Sequence, residues 1–351
     1  MGSANKSRSR ILFYQSNDKF KYLQAYKEGK YFGQTFYGAT HLSKYGCDVE
    51  IMQNPEPSRL ENFLKTKLKT DISFFKHTHS LIRNSKKADI IYAPYPSGLA
   101  FLLCLKLLGI FKKKIVVIVH NNRRNFILQE IYLRGTDKII CISKATFQHI
   151  PEKFKSKTSY LEWGPDLDFY KQKKNSSTQQ SVHNYFISTG KADRDFETLL
   201  RALNNTNLPA ILYLPKDYSP TEIKPNIQIK NYKGLFFPID LLDEYSNALA
   251  FVIPTNNNTK LLGLTSLFEA MAMKKPVIMT YNKYIDFDIE KENVGLWANL
   301  KDVDDWIKKL KYLHENPEEA KKMGDKGYAL CSNRYNLNLF SQKLAAVIKS
   351  L

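Results

Sequence analysis

Residues 263–280 read GLTSLFEAMAMKKPVIMT, and no other stretch of this chain says as much about its fold. A turn glycine, Gly263, precedes two hydroxyl residues, Thr265 and Ser266, which are suited to capping a helix. The helical part carries an acid, Glu269, and is followed by Lys-Lys-Pro and a β-branched run typical of a buried strand. The stretch therefore predicts a loop, a helix and a strand in succession.

The start of this predicted helix is suited to binding an anion. The first backbone N–H groups of a helix have no partner within it, and the helix dipole favours negative charge there. On the same helix, Glu269 can accept hydrogen bonds from two vicinal hydroxyls such as those of a ribose. The pattern thus fits a nucleotide-sugar site. A capped core helix whose acid only complements the dipole fits it equally well.

Length and composition favour a globular protein of two domains. A chain of 351 residues is too long for one ordinary core, and 43% hydrophobic with 25% charged residues is not typical of disorder. The four cysteines lack metal-ligand spacing, which favours a reducing cytoplasm. We expect no secretory signal and no membrane span, because the longest apolar run, 99–111, is shorter than the roughly 20 residues of a spanning helix.

The net charge of +19 lies mostly in the first half of the chain. Residues 1–165 hold 28 Lys and Arg against 12 Asp and Glu, whereas residues 166–351 hold 25 against 22. A basic domain can meet nucleic acid, an anionic membrane or an acidic polymer. Neither a helix-turn-helix nor an RNA-stacking motif stands out, so we expect no nucleic-acid partner.

Short strand-like runs alternate with helix-length segments along the whole chain. This alternation is typical of parallel sheets with helices on both faces. It predicts an α/β protein with two tandem Rossmann-like domains, whose ligands would bind at the carboxyl ends of the strands in a cleft between the domains. The predicted strands are 11–14, 49–52, 90–93, 115–119, 138–142, 185–188, 210–214, 227–229, 250–253 and 277–279.

Five further segments resemble the motifs of one enzyme family, in that family's order. Segment 115–120 (IVVIVH) resembles its strand ending in a histidine, and 140–145 (ICISKA) resembles the strand and helix start that close its first domain. Segment 161–169 (LEWGPDLDF) looks like its hinge, 188–202 (STGKADRDFETLLRA) like its phosphate-binding strand and helix, and 292–295 (ENVG) like the loop before its final strand. The chain thus resembles a GT-B fold glycosyltransferase, most of all glycosyltransferase family 4.

The resemblance implies a domain plan and a reaction. Domain 1–165 would face the acceptor and the membrane, domain 166–330 would bind the nucleotide sugar, and helix 331–351 would pack back on the first domain. The reaction would be transfer of a hexose with retention, from a UDP-sugar by family frequency. The acceptor hydroxyl would lose its proton to the departing phosphate, with no protein base, no cofactor and no metal.

The resemblance also implies the donor-site residues. Lys191 and Arg194 would neutralise the diphosphate leaving group, because preorganised cations lower the barrier where charge develops. His120 would hydrogen-bond the donor sugar near the reacting centre. A solvated loop pair and a structural histidine are the alternatives. The predicted catalytic residues are His120, Lys191, Arg194 and Glu269, and the predicted nucleotide-sugar site adds Gly33, Gly190, Gly263, Leu264, Thr265 and Ser266.

One position departs from the family's pattern. Relatives usually carry two glutamates eight positions apart, but the position eight before Glu269 holds Leu261. Either Thr265, Ser266 and the backbone at Gly263 hold the sugar hydroxyls, or the donor specificity differs. The departure leaves the identity of the sugar open more than the nucleotide site.

Basic and aromatic residues of the first half predict the acceptor side. Apolar residues recur at broadly helical spacing amid cations between positions 58 and 87, as in a peripheral membrane protein, and run 99–111 precedes three lysines. Two surface helices of a basic soluble protein and ordinary aromatic packing are the alternatives. The predicted membrane and acceptor residues are Lys65, Lys67, Lys69, Lys76, Tyr31, Phe36 and Tyr37.

The leading hypothesis is a cytoplasmic enzyme, peripheral on the inner face of the plasma membrane, that transfers a hexose from a UDP-sugar to a lipid or lipid-linked acceptor. A soluble or polysaccharide acceptor, as in capsule or lipopolysaccharide, is the first alternative. A nucleotide-sugar epimerase and a non-catalytic basic binding protein are alternatives of other classes. Few carboxylates stand in the predicted cleft, which argues against the epimerase.

Overall fold

The computed structural model describes ten ranges of the chain, which fall into two compact units. Unit 1 takes the described residues of Met1–Glu28, Gly33–Trp163 and Leu337–Leu351, and unit 2 takes those of Gly29–Phe32 and Gly164–Asn336. The domain limits given above stay predictions. The described ranges are 8–16, 20–56, 73–96, 98–121, 126–172, 185–190, 193–215, 217–220, 222–231 and 238–351.

Unit 1 is built on a parallel sheet of six strands among its described residues. The strands are β1 (Ser9–Phe13), β2 (Cys47–Ile51), β3 (Ile90–Ala93), β4 (Lys114–Val119), β5 (Lys138–Cys141) and β6 (Thr158–Tyr160). Their order is β2-β1-β3-β4-β5-β6. Every residue of β3 and four residues of β4 are buried, because helices cover a parallel sheet on both faces.

Helices of unit 1 follow most of its strands. The α-helices are Phe20–Lys27, Ser73–Asn84, Ala100–Leu107, Phe126–Gly135, Lys144–Gln148 and Leu337–Lys349, and the 3₁₀ turns are Gly33–Phe36, Leu42–Tyr45, Ser85–Lys87 and Glu152–Lys157. The last helix, Leu337–Lys349, packs on the turn Leu42–Tyr45. Its Phe340 is fully buried, and Lys343 pairs with Glu162 at 2.7 Å, so the end of the chain completes unit 1.

Unit 2 repeats the plan with a second parallel sheet. Its strands are β7 (Tyr185–Ser188), β8 (Ala210–Leu214), β9 (Ile227–Asn231), β10 (Ala248–Ile253), β11 (Val277–Thr280) and β12 (Gly295–Ala298), in the order β12-β11-β10-β7-β8-β9. Its helices are Leu167–Tyr170, Phe196–Thr206, Leu242–Asn247, Leu264–Ala272, Val303–Glu315 and Pro317–Asn333, with a 3₁₀ turn at Pro238–Leu241. The predicted fold class, two Rossmann-like domains with parallel sheets, is confirmed.

The core of unit 2 shows how the pattern of the sequence produces this fold. Helix Phe196–Thr206 begins at Asp195, whose carboxylate accepts hydrogen bonds from the backbone and the hydroxyl of Thr198. Its apolar face, with Leu199 and Leu203, packs with Trp306 in one buried cluster on the sheet.

In the described part of the chain, no helix combines the length and the hydropathy that crossing a bilayer requires.

Candidate active site in unit 2

The strand order of unit 2 creates a crevice beside β7 and β10. These two strands are neighbours in the sheet, and the chain continues from them toward opposite edges. In such sheets, ligands bind outside the carboxyl ends of the strands at this reversal. The residues that follow β7 and β10 meet there, since Arg194 and Thr255 form an antiparallel bridge. The candidate site therefore centres on Arg194.

Close packing fixes the guanidinium of Arg194. Its Nη2 donates a hydrogen bond to Ser266 Oγ at 3.2 Å, and the side-chain amide of Asn256 donates to its backbone carbonyl at 2.9 Å. The guanidinium lies against Gly190, where an added Cβ would approach Nη2 to 2.1 Å. A side chain at position 190 would therefore displace the guanidinium from this arrangement. The structure brings three predicted residues together here: Gly190, Arg194 and Ser266.

The helix Leu264–Ala272 points its start into the same region. Its N-cap residue is Gly263, which has a left-handed backbone (φ 76°), and no side chain caps the helix. The expectation that Thr265 and Ser266 cap it was wrong, because the glycine begins the helix at Leu264 and places both hydroxyls inside its first turn. Ser266 instead accepts a hydrogen bond from Arg194. The N–H groups of the first turn keep their capacity to bind an anion.

Glu269 lies one turn after Ser266 and is almost completely buried, with 8% of its surface exposed. The phenol of Tyr170 donates to its Oε1 at 3.4 Å. Burial raises the pKa of the Glu269 carboxyl to about 7, against the opposite effects of the hydrogen bond from Tyr170, the charge of Arg194 and the hydrogen bond with Tyr245. The carboxyl therefore titrates near neutral pH.

His120 follows β4 in unit 1 and lies in an uncharged aromatic setting. Its Nε2 lies 2.8 Å from the carbonyl of Pro94, and its ring stacks on Tyr95 with centroids 4.5 Å apart. Burial lowers the pKa of His120 to about 4. A carbonyl only accepts hydrogen bonds, so the neutral ring carries its proton on Nε2, and Nδ1 is left as an acceptor. His120 can thus accept from a hydroxyl but cannot donate to a carbonyl through Nδ1.

Tyr37 lies in the same aromatic cluster of unit 1. Its ring stacks on Trp163 (5.6 Å) and meets His120 edge-on (5.3 Å), and its hydroxyl lies 2.6 Å from that of Tyr95. The backbone of Tyr37 is left-handed (φ 45°), which is uncommon for a bulky residue and occurs where surrounding contacts enforce it. Tyr92 supplies one such contact, donating to the Tyr37 carbonyl at 2.7 Å.

The structure separates other predicted residues. Phe36 is fully buried in unit 1 against Tyr26, and Gly33 is buried at the start of a 3₁₀ turn, whereas Tyr31 belongs to unit 2. The amine of Lys76 donates to the carbonyl of Glu56. Predicted residues that lie outside the described part of the chain are Lys65, Lys67, Lys69 and Lys191.

Sequence reasoning missed residues whose contacts are long-range. Tyr170 follows the predicted hinge segment, but nothing in its neighbourhood indicates contact with a glutamate 99 positions away. Tyr245, which donates to Thr189 Oγ1 at 3.0 Å, stands in a helix without a motif. Tyr95 carries no signal beyond following β3. A strand-end position was the one pattern that could have drawn attention to it.

Unit 1 also exposes apolar side chains on three helices and in the turn that follows the second of them. We call this surface the apolar face. Helix Ala100–Leu107 packs between Ser73–Asn84 and Phe126–Gly135, and Phe75 and Phe101 contact each other at 5.1 Å. The exposed fractions reach 73% at Leu108 and 76% at Phe126. The apolar face consists of Phe75, Ile82, Phe101, Leu107, Leu108, Ile110, Phe126 and Ile127, and exposed cations next to it in the chain are Arg83, Lys86, Lys87, Lys112 and Lys114.

Comparisons with known proteins show what the chain and its fold are similar to. Residues 223–330 match the family model for glycosyl transferases group 1. No curated protein matches the chain. Three similar solved structures are a glycosyltransferase from Rickettsia africae (15% identity, 98% of both chains covered, TM-score 0.67), sucrose-phosphate synthase from Thermosynechococcus elongatus (14%, 98% of both chains, 0.69) and Alr3699/HepE from Anabaena in complex with UDP (14%, 97% of this chain and 100% of that chain, 0.66).

These likenesses establish the fold, which is the two-domain GT-B fold. Together with the family match inside unit 2, the fold supports a glycosyltransferase, as the sequence predicted. Family 4 and retention of configuration stay predictions.

Proposed function

We propose that the protein transfers a hexose from a UDP-sugar to a lipid or lipid-linked acceptor at the cytoplasmic face of the membrane, with retention of configuration. One observation carries the donor side of this proposal. Arg194, Ser266 and Glu269 converge with an uncapped helix start at the carboxyl ends of β7 and β10. A site of this kind offers cationic and N–H donors to a diphosphate and a carboxylate to vicinal hydroxyls.

Each group has a distinct role in binding the donor. The diphosphate would bind at the helix start after Gly263 and to the guanidinium of Arg194. The ribose hydroxyls would donate to Glu269, whose ionised form accepts charge-assisted hydrogen bonds. The Anabaena protein Alr3699/HepE has been solved in complex with UDP and with UDP-glucose, and its fold is that of this chain, which supports a UDP-sugar here.

The transfer breaks the bond between the anomeric carbon and the diphosphate oxygen, and forms one to the acceptor oxygen. Negative charge then develops on the diphosphate, where Arg194, joined in the proposal by Lys191, would stabilise it. The acceptor proton would pass to the departing phosphate oxygen. This scheme needs neither a protein base nor a metal. His120, with Nδ1 as an acceptor, would take a hydrogen bond from a hydroxyl of the sugar.

The acceptor side rests on the surface of unit 1. Exposed aromatic and aliphatic side chains surrounded by cations are typical of proteins that dock on anionic lipid, since apolar insertion and electrostatic attraction add. The apolar face combines both features. We therefore place the enzyme at the inner face of the plasma membrane, where it would meet a lipid-borne acceptor.

Calorimetric titration with UDP tests the donor site. Wild-type protein should bind UDP, and Glu269→Ala should weaken binding by about 2 kcal/mol, because charge-assisted hydrogen bonds are lost. Glu315→Ala, at an exposed position of the same unit, is the matched control and should bind as wild type does. Unchanged affinity in Glu269→Ala would remove this residue from the site, and tight binding of duplex DNA without nucleotide would overturn the proposal.

Mass spectrometry of products tests the acceptor. The protein is incubated with a membrane lipid extract and a panel of UDP- and GDP-sugars. A lipid that gains one hexose mass from a UDP-sugar is the expected result. Transfer only to soluble glycans or polysaccharide added in parallel would contradict the lipid acceptor and leave the donor site in place.

A further inference from the structure

A short segment from the early part of the chain belongs to unit 2. It comprises Gly29–Phe32, while the residues on either side of it belong to unit 1. The ring of Phe32 stacks on Tyr170, with centroids 6.3 Å apart and planes inclined by 24°, and meets Phe169 edge-on at 5.7 Å. Tyr31 packs against Phe32 at 4.7 Å. Aromatic pairs attract each other at these separations.

Tyr170, in turn, contacts the carboxylate of the candidate site. It ends the one-turn helix Leu167–Tyr170, which is capped by Asp166, and its phenol donates to Glu269 at 3.4 Å. A helix of one turn has few hydrogen bonds of its own, so tertiary contacts fix the direction of its side chains. The ring contacts with Phe32 are among those that hold the Tyr170 phenol toward Glu269.

We propose that Phe32 is a positioning residue for the donor site: by stacking on Tyr170 it keeps the phenol donating to Glu269, and this hydrogen bond favours the ionised carboxylate that would receive the nucleotide. The inference rests on the proposed function, in which Glu269 accepts the ribose hydroxyls. Neither Phe32 nor Tyr170 needs to touch the nucleotide for this role. The segment Gly29–Phe32 thereby becomes part of the donor site of unit 2.

The hydrogen bond has a measurable electrostatic consequence. Three titratable groups act on Glu269 from different elements, namely Tyr170 from helix Leu167–Tyr170, Arg194 from the loop after β7, and Tyr245 from helix Leu242–Asn247. All three favour the ionised carboxyl, whereas burial favours the neutral one. Losing the phenol, or its alignment, therefore raises the pKa of Glu269 further. Removing a ring that only filled space would leave the pKa of Glu269 unchanged or, by admitting water, lower it.

Carbon-13 NMR of the glutamate side-chain carboxyls in the nucleotide-free protein tests this step, with Glu269→Gln assigning the signal. We expect the Glu269 midpoint to rise by roughly half a unit to one unit in Tyr170→Phe. It should rise in the same direction in Phe32→Ala. Phe32→Tyr retains a ring that can stack and should titrate as wild type does, as should Phe20→Ala, a control at an exposed phenylalanine of unit 1.

Two outcomes would overturn the positioning role. One is a midpoint in Phe32→Ala that equals or falls below that of wild type, and the other is a wild-type midpoint in Tyr170→Phe. Phe32→Leu, which keeps an apolar side chain without the ring, replaces Phe32→Ala if the latter lowers Tm.

UDP affinity measured across pH separates this inference from the function it rests on. In Phe32→Ala, binding should be severalfold weaker at pH 7 and should recover toward pH 8.5, where Glu269 is ionised in either protein. A loss that is equal at every pH would indicate a structural role and contradict the proposal. Shifted titrations in a wild-type protein that binds no nucleotide would contradict the proposed function and leave the Phe32–Tyr170 link standing.

Discussion

The two units have the same architecture but differ in the chemistry at the ends of their strands. In unit 2, the cation of Arg194 and the ionisable carboxyl of Glu269 lie near an uncapped helix start. In unit 1, His120 is uncharged, stacks on Tyr95 and meets Tyr37 edge-on. The surface of unit 1 carries the apolar face and most of the excess positive charge, whereas unit 2 exposes few large apolar side chains, at Ile223, Tyr281, Leu300 and Tyr312 among the described residues.

The comparison shows that the doubly wound sheet provides positions rather than chemistry. Both sheets deliver loops to the carboxyl edge of their strands. What those loops bind depends on the charge of a few side chains. Burial lowers the pKa of His120 to about 4, so this ring is neutral at pH 7, whereas the pKa of Glu269 is about 7 and its carboxyl is partly ionised there. A charged donor site in one unit and an apolar, cationic surface in the other is the division that the proposed reaction needs.

The largest effect should follow from removing the cation of unit 2. Arg194→Ala should lower kcat by about 10²–10³, because one preorganised donor to the developing charge is lost. Steady-state transfer to the proposed lipid acceptor measures it. Arg201→Ala, on the exposed face of the helix that follows, is the matched control and should retain full activity. A similar loss of kcat in both variants would mean that activity depends on the total positive charge of unit 2. It would contradict a specific role for Arg194.

Stability should respond to pH in opposite senses in the two units. The pKa of Glu269 is raised to about 7 in the fold, so its contribution to stability is present below about pH 4.5 and is lost as pH rises through 7. The pKa of His120 is lowered to about 4, so its contribution is present above about pH 6.5 and is lost as pH falls through 4. Each group is destabilising where its buried form must be charged.

Matched variants check these signs. Relative to wild type, Glu269→Gln should gain stability between pH 5 and pH 8, by up to about 3 kcal/mol, whereas His120→Gln should gain it between pH 7 and pH 4. Thermal unfolding across this range measures both. Parallel curves for a variant and wild type would show that the buried group does not titrate as described.

The smallest effect should appear at the apolar face of unit 1. Leu108→Ser and Ile110→Ser should each weaken binding to anionic vesicles by about 1–2 kcal/mol, since less apolar surface leaves water. Co-sedimentation at physiological salt measures this. Leu300→Ser replaces an exposed leucine of unit 2 and should bind as wild type does. If the wild-type protein failed to co-sediment, membrane docking would be wrong, and the apolar face would no longer distinguish unit 1 from unit 2 in function.

Much of the fold could be predicted from the sequence, because short buried parallel strands are apolar throughout. The runs at 90–93, 185–188 and 210–214 coincide with β3, β7 and β8. The polar three-residue strand β6 (Thr158–Tyr160) gave no such signal, since it follows neither an apolar run nor an alternation. The order of the strands within each sheet could not be predicted from local patterns either, because each strand pairs with others that lie far away in the chain.

Predictions about the candidate site divide in the same way. Gly263, Ser266 and Glu269 lie within seven consecutive residues at the start of one helix, so their grouping is local. The capping role of Thr265 and Ser266 failed because one left-handed glycine shifted the helix start. Tyr31 was grouped with Phe36 and Tyr37 by proximity in sequence, yet it belongs to unit 2. Residues that are neighbours in the chain belong to different units wherever the backbone passes from one unit to the other.

The sequence by itself determined the class of fold, the helix with its glycine and acid, and the concentration of positive charge in the first half. These features depend on local residue spacing and on composition, both of which are read directly from the sequence. Only the tertiary structure decided that Ser266 accepts a hydrogen bond from Arg194, that Tyr170 donates one to Glu269 and that His120 is neutral. The partners in the first two contacts lie 72 and 99 positions apart. Hydrogen bonds and burial depend on distance in space, which the order of residues along a chain does not encode locally.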